Sequence, residues 1–179
     1  MKPVITLLIL LSLCATNARG QEKLSPRQLE AYRQHFRDSL PRPTGWATDL
    51  AHLFTGAQRY RLDSLIGSYE KKTSIEIAIV TLDTLCFARE NLNDLAAHIA
   101  NTWGVGKKDK NNGITICIAA GYRLIRIENG SGITEMLTDT ETKHIIDNDF
   151  IPLFKQGDYY RGTIVGLNAI ITKLDAAMK

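Results

Sequence analysis

Residues 103–129, W-G-V-G-K-K-D-K-N-N-G-I-T-I-C-I-A-A-G-Y-R-L-I-R-I-E-N, are the stretch from which the architecture of this chain can be worked out. The stretch opens at the end of a helix and passes through a glycine-punctuated basic loop. Ile114 to Ala120 then forms an apolar, β-branched run with the length of a buried strand. Ala120-Gly121 predicts a tight turn, and Tyr122 to Ile127 alternates as a half-exposed partner strand. Together they predict a β-hairpin carrying a Gly- and Asn-rich loop at one sheet end, a place where functional residues tend to collect.

Working outward, Ser74 to Leu82 (S-I-E-I-A-I-V-T-L) has the near-continuous apolar character of an inner strand. Between the two strands, Arg89 to Trp103 carries Leu92, Leu95, Ala96, Ile99 and Trp103 at helical spacing. Before them, Thr55-Gly56-Ala57-Gln58 is a capping box that opens a helix to about Lys72. Trp46 to Phe54, with Asp49, predicts only a short extended or turn segment. Thr138-Asp139-Thr140-Glu141 is another capping box and starts a helix to about Phe150, which Pro152 interrupts. Gly157-Asp158 restarts the chain as a last helix, Tyr159 to Ala177. Helix, strand, helix, strand with short links implies a parallel pair joined by a right-handed crossover. The expected fold is therefore α/β: a three-layer αβα sandwich with a mixed, mainly parallel central sheet plus the β-hairpin.

The N-terminus divides off from this core. Lys2, an apolar run from Val4 to Leu13 and small residues at Ala15, Ala18 and Gly20 predict a secretory signal peptide over residues 1–20. A lipoprotein signal ending at Cys14 is disfavoured because bulky Leu13 precedes the cysteine. Residues 21–43 form an N-terminal helix, opened by the Ser25/Gln28 capping box, and a Pro-rich linker. Residues 44–179 form the main domain. The helix has only a thin apolar stripe, compatible with weak packing on the domain or with a projecting arm. The expected location is secreted or periplasmic, with no transmembrane anchor in the mature chain.

Charge and cysteine content narrow the function classes. Loss of Lys2 and Arg19 with the signal leaves 20 of the 22 basic residues against 19 acidic ones. Such balance provides no electrostatic case for nucleic acid. Cys86 and Cys117 remain, either as a disulfide or as two separate core thiols. Gly104-Val105-Gly106 follows a helix and precedes a strand, the reverse of a dinucleotide fingerprint, so no nucleotide cofactor is expected and Gly104 is better placed as a helix cap. Asp109 to Gly113 lacks the glycine and glutamate positions of an EF-hand loop; a strand-leading turn is favoured there over a looser oxygen-ligand site. His35, His52, His98 and His144 lack zinc-ligand spacing. Lys107, Lys108 and Lys110 form a small basic loop, expected to be solvated rather than anion-binding. Asp139 and Glu141 stand in a helix first turn, where the helix dipole already favours carboxylates.

Seven segments, in order, resemble the TPM domain family over about Gly45 to Lys173. They are W-A-T-D-L-A-H-L-F-T, I-E-I-A-I-V-T-L, A-x-x-I-A-N-T-W-G-V-G-K-K, N-N-G-I-T-I-C-I-A, R-L-I-R-I-E-N-G-S-G-I, L-T-D and F-I-P-L-F-K-Q-G-D-Y-Y-R-G. The resemblance implies an αβα sandwich, usually exported or facing a lumen. Within the family are acid phosphatases of the thylakoid lumen, divalent-ion binders and accessory subunits of membrane receptors. It also implies metal ligands at Asp49, Asn111, Asn112 and Asp139, with calcium or another divalent cation as cofactor, and Asp49 and Asp139 as catalytic candidates. The chain departs from the family where many members have D-N-G and G-x-G-L-E. Here Asn111 and Thr134 replace the two carboxylates, which lowers the expected affinity for a hard cation. The leading expectation is a weakly catalytic or non-catalytic binding and assembly-accessory module of the cell envelope, with an envelope or extracellular protein as partner. The alternatives are a metal-dependent acid phosphatase acting on phosphomonoesters and a calcium-binding domain without catalysis.

Overall fold

The computed structural model describes residues 24–179; the expected signal peptide and Cys14 lie outside them. By internal contacts, Tyr32–Lys179 form one compact unit, apart from the described residues before Tyr32. Helix α1 spans Pro26–Asp38, β1 Ala47–Asp49, α2 Gly56–Thr73, β2 Glu76–Thr81 and α3 Leu92–Trp103. They are followed by β3 (Gly113–Ala119), β4 (Leu124–Asn129), α4 (Asp139–Ile145), α5 (Ile151–Phe154) and α6 (Tyr159–Ala177).

The four strands lie in the order β1-β2-β3-β4. β1, β2 and β3 are parallel, and β4 returns antiparallel to β3. Both faces of the inner strands are buried, which accounts for their almost unbroken apolar sequence. Ile77, Ile79, Ile114, Ile116 and Ile118 face Leu62 and Ile66 of α2, and Leu167 and Ile170 of α6. Val80, Cys117 and Ala119 face Leu92, Leu95, Ala96 and Ile99 of α3. The result is the expected three-layer sandwich.

Three details differ from the sequence-based expectations. The segment containing Asp49 is a strand, since Ala47, Thr48 and Asp49 pair with Ile79, Val80 and Thr81. Three residues are too few for a periodic signal, so only pairing with β2 makes the strand. The hairpin turn is also longer than a dipeptide: Ala120–Tyr122 form a 3₁₀ turn and Arg123 adopts φ 56°, so β4 begins at Leu124. Finally, Pro152 does not end the helical path. Ile146–Phe150 widen into a π-turn, with Ile151 N–H bonding Ile146 C=O five residues back, and α5 continues through the proline. The wider turn accommodates a residue that has no N–H and whose ring crowds the preceding turn.

All three capping boxes are formed, at Ser25/Gln28, Thr55/Gln58 and Thr138/Glu141. Gly104 caps α3 with φ 64°. Cys86 and Cys117 are both buried and unpaired. Within the main unit, Phe36 and Leu40 pack against the α3 face of the core, and Trp103 Nε1 donates to Pro41 C=O at 3.0 Å.

Candidate functional site

The expected site residues lie at two ends of the sheet. Asp49 closes β1, level with Thr81 of β2 and, through it, Ile118 of β3. Asn111 and Asn112 immediately precede Gly113, at the opposite end of β3. Five residues of extended chain separate the two levels, roughly 16 Å. Asp49 therefore cannot share a single ion with Asn111 or Asn112.

The Asp49 carboxylate is also engaged within the fold. One oxygen accepts from Leu53 N–H at 2.9 Å and Thr81 Oγ1 at 2.5 Å; the other accepts from Phe54 N–H at 2.9 Å. These bonds fold the chain back after β1 and satisfy backbone donors that would otherwise lack partners.

At the other end, loop residues 105–113 lie under the return 130–132. Gly130 N–H bonds Gly113 C=O and Gly132 N–H bonds Asn111 C=O, at 2.8 and 3.1 Å. A Cβ on Gly113 would lie 2.0 Å from Val105 C=O, and one on Gly130 would lie 2.1 Å from Asn111 C=O. Only glycine allows main chain to cross main chain so closely. Asn112 is buried and structural: its Oδ1 accepts from Lys107 N–H and its Nδ2 donates to Ser74 C=O. Asn111 is exposed in the left-handed region, with φ 46°.

The basic loop is not simply solvated, as its sequence suggests. Lys107 Nζ lies 2.8 Å from Glu70 and 2.6 Å from Glu76, and Glu76 also accepts from Gly106 N–H. The two carboxylates hold the Lys107 ammonium well above its usual range. An internal cation thus fixes this loop. Lys110 reaches Ser74 Oγ at 3.0 Å, and Lys108 is exposed.

Beside the crossing lies a cavity of about 230 Å³. Thr115 and Glu128, directly opposite each other on β3 and β4, contribute to its lining. Ala100 and Asn101 of α3 form part of its wall, and Asn111 and Ser131 border it. Thr115 is 1 % exposed and its hydroxyl has no partner. Neighbouring Asn129 uses Nδ2 on Leu137 C=O and Thr142 Oγ1, while its buried Oδ1 has no partner. Sequence reasoning passed over Thr115 and Glu128. The available signal was weak: Thr115 is the one hydroxyl in the run Ile114–Ala119, and strand alternation sets it on the α3 face with Cys117.

Asp139 is exposed at the start of α4, where its charge reinforces that of Glu128 on Arg126. Thr134 is exposed and donates to Ser131 C=O at 3.0 Å. The cavity does not fit a hard divalent cation, which favours several carboxylate oxygens. Its one carboxylate, Glu128, is held by Arg126 at 2.6 Å, and its other side-chain oxygens are neutral. Among the described residues, no three His, Cys, Asp or Glu side chains gather to hold a metal. Burial pushes both thiols up, most strongly at Cys117, which leaves them poor nucleophiles.

Comparison with known proteins agrees with this architecture. The TPM domain profile matches residues 47–173. The solution structure of the N-terminal domain of a protein from P. gingivalis is 29% identical. It covers 88% of this chain and 95% of its own, with a TM-score of 0.67. The BA42 protein of the psychrophilic bacterium Bizionia argentinensis is 21% identical, covering 72% and 86%, with a TM-score of 0.61. The N-terminal domain of the cg2496 protein of Corynebacterium glutamicum is 15% identical, covering 79% and 85%, with a TM-score of 0.56. The last two likenesses concern the fold alone. A search of curated proteins finds no significant match.

Proposed function

The chain belongs to the TPM domain family, and on that premise we propose that it is a secreted or periplasmic binding and assembly-accessory module of the cell envelope, with weak or no catalysis. The observation that carries this reading is the engagement of Asp49 and its separation from the Asn111 loop. Asp49 spends both oxygens on Leu53, Phe54 and Thr81, at the sheet end opposite Asn111. Where related chains often place a carboxylate, Asn111 and Thr134 supply none. General acid–base or metal-assisted hydrolysis requires such groups converging on one reacting atom. A rigid surface built from glycine crossings, with a small polar cavity beside it, suits recognition instead.

Three measurements test the proposal. Phosphomonoester hydrolysis by the purified protein should stay at background with millimolar calcium, magnesium or manganese, and its melting temperature should not move. A saturating ion that binds only the native state, at ~100 times its dissociation constant, would stabilise by ~2.7 kcal/mol. Turnover lost in Asp139→Ala without unfolding would establish the phosphatase reading, and a clear thermal shift without turnover the calcium-binding one. For the binding role, photo-crosslinkers spread over the surface in native cells should yield a discrete protein adduct. Failure at every position would overturn it.

A further inference from the structure

We propose that the cleft between β4 and the α5–α6 corner binds a free amphipathic anion with a single aliphatic tail, in its simplest form a fatty acid. The site goes beyond the protein-binding reading above and does not depend on it.

The cleft has a volume of about 480 Å³. A dry cavity of ~150 Å³ takes up a benzene ring, so this one has room for a longer tail. Ile125 of β4, Ile151 and Phe154 of α5 and Tyr159 of α6 give it apolar walls. All four are half-buried. They line a recess instead of standing out from the surface, which suits one chain better than a bilayer face. The Phe154 and Tyr159 rings lie with centroids 4.9 Å apart and form an aromatic side to it. Small-molecule pockets combine such walls with a few polar groups that fix the ligand's orientation.

The polar groups here are cationic. Arg123 and Lys155 line the cleft, and no acidic residue does among the described residues. Both are exposed, and neither takes part in an ion pair among the described residues. Asp158, in the same corner, accepts from Arg161 N–H as the cap of α6. An anionic head is therefore the complementary partner for this lining. Two backbone features sit at the cleft. Arg123 has φ 56°, uncommon for a residue with a side chain, and its N–H bonds Ala120 C=O at 3.0 Å, which fixes its backbone at the hairpin turn. On the other wall, the π-turn of Ile146–Phe150 leads directly into Ile151; such turns recur at functional sites.

The test is calorimetric titration of the purified protein with straight-chain carboxylates of increasing length, each below its micelle concentration. Affinity should rise about fourfold per added methylene and level off once the tail fills the cleft. A primary alcohol of equal length should bind about tenfold more weakly or less. The double variant Arg123→Gln/Lys155→Gln, at two surface positions, should erase that preference for the acid with its melting temperature unchanged. Resonances of Ile125, Ile151 and Tyr159 should shift on binding. Absence of binding, equal affinity for acid and alcohol, or an acid preference kept by the double variant would overturn the proposal. So would affinity that climbs with length without levelling. Binding to vesicles of anionic phospholipid but not to monomeric acids would assign the cleft to a membrane surface and also overturn it. In each of these cases the cell crosslinking still decides the protein-binding role independently.

Discussion

At the end of the sheet where β1 and β2 finish, the carboxylate of Asp49 has protein donors on both oxygens. At the end where β3 begins, main chain crosses main chain over glycines, and Thr115 and Asn129 keep buried oxygens without partners. The first end uses its charge to fold a turn. The second is held by backbone contacts and by Lys107 between Glu70 and Glu76, leaving polar atoms beside a cavity. An acidic residue is therefore a poor guide to a site until its hydrogen bonds are known. A neutral hydroxyl left without a partner is the more informative feature, because burying it without a bond is unfavourable.

Substitution can break each side of this contrast. The largest effect is expected from Gly113→Ala, because the new methyl would meet the Val105 carbonyl at 2.0 Å and backbone cannot give way as a side chain does. Chemical denaturation should show a loss of about 3 kcal/mol. A loss below about 1 kcal/mol would mean that the crossing relaxes easily. Asp49→Ala follows, leaving Leu53 N–H, Phe54 N–H and the Thr81 hydroxyl without their acceptor. It should cost about 2 kcal/mol, seen as a melting temperature about 4–8 °C lower. If the variant melted like wild type, the stapled turn would not be structural.

A smaller, pH-confined effect belongs to Glu141, at the start of α4. Lys173, and after it the Thr138 N–H and hydroxyl, lower its carboxyl from 4.5 to about 2. A folded value below the unfolded one stabilises fully above pH 4.5. That contribution disappears as acid passes from 4.5 down through about 2. Wild-type stability should therefore decline across this window more steeply than that of Glu141→Gln. Parallel acid profiles would remove the linkage.

The smallest effect sharpens the contrast from the other side. Thr115→Val keeps the shape and deletes the hydroxyl that has no partner. Denaturation should place it between unchanged and about 1 kcal/mol more stable. A clear destabilisation would show that the hydroxyl has a partner in solution, such as a bound water or a ligand.

Local chemistry made much of the molecule legible in its sequence. Capping boxes set the helix starts at Gly56 and Asp139, and Asp158 opens α6. The almost unbroken apolar runs of β2 and β3 announced strands buried on both faces. These signals depend on neighbours in sequence, so the sandwich could be inferred from them. Tertiary structure alone decided three other matters. It made Ala47–Asp49 a strand by pairing it with β2, and carried the chain through Pro152 by widening a turn. It also separated Asp49 from Asn111 by the length of the sheet. The physical reason is common to all three: spacing along the chain does not specify which donors, carbonyls and cations will lie within bonding distance once distant segments pack together.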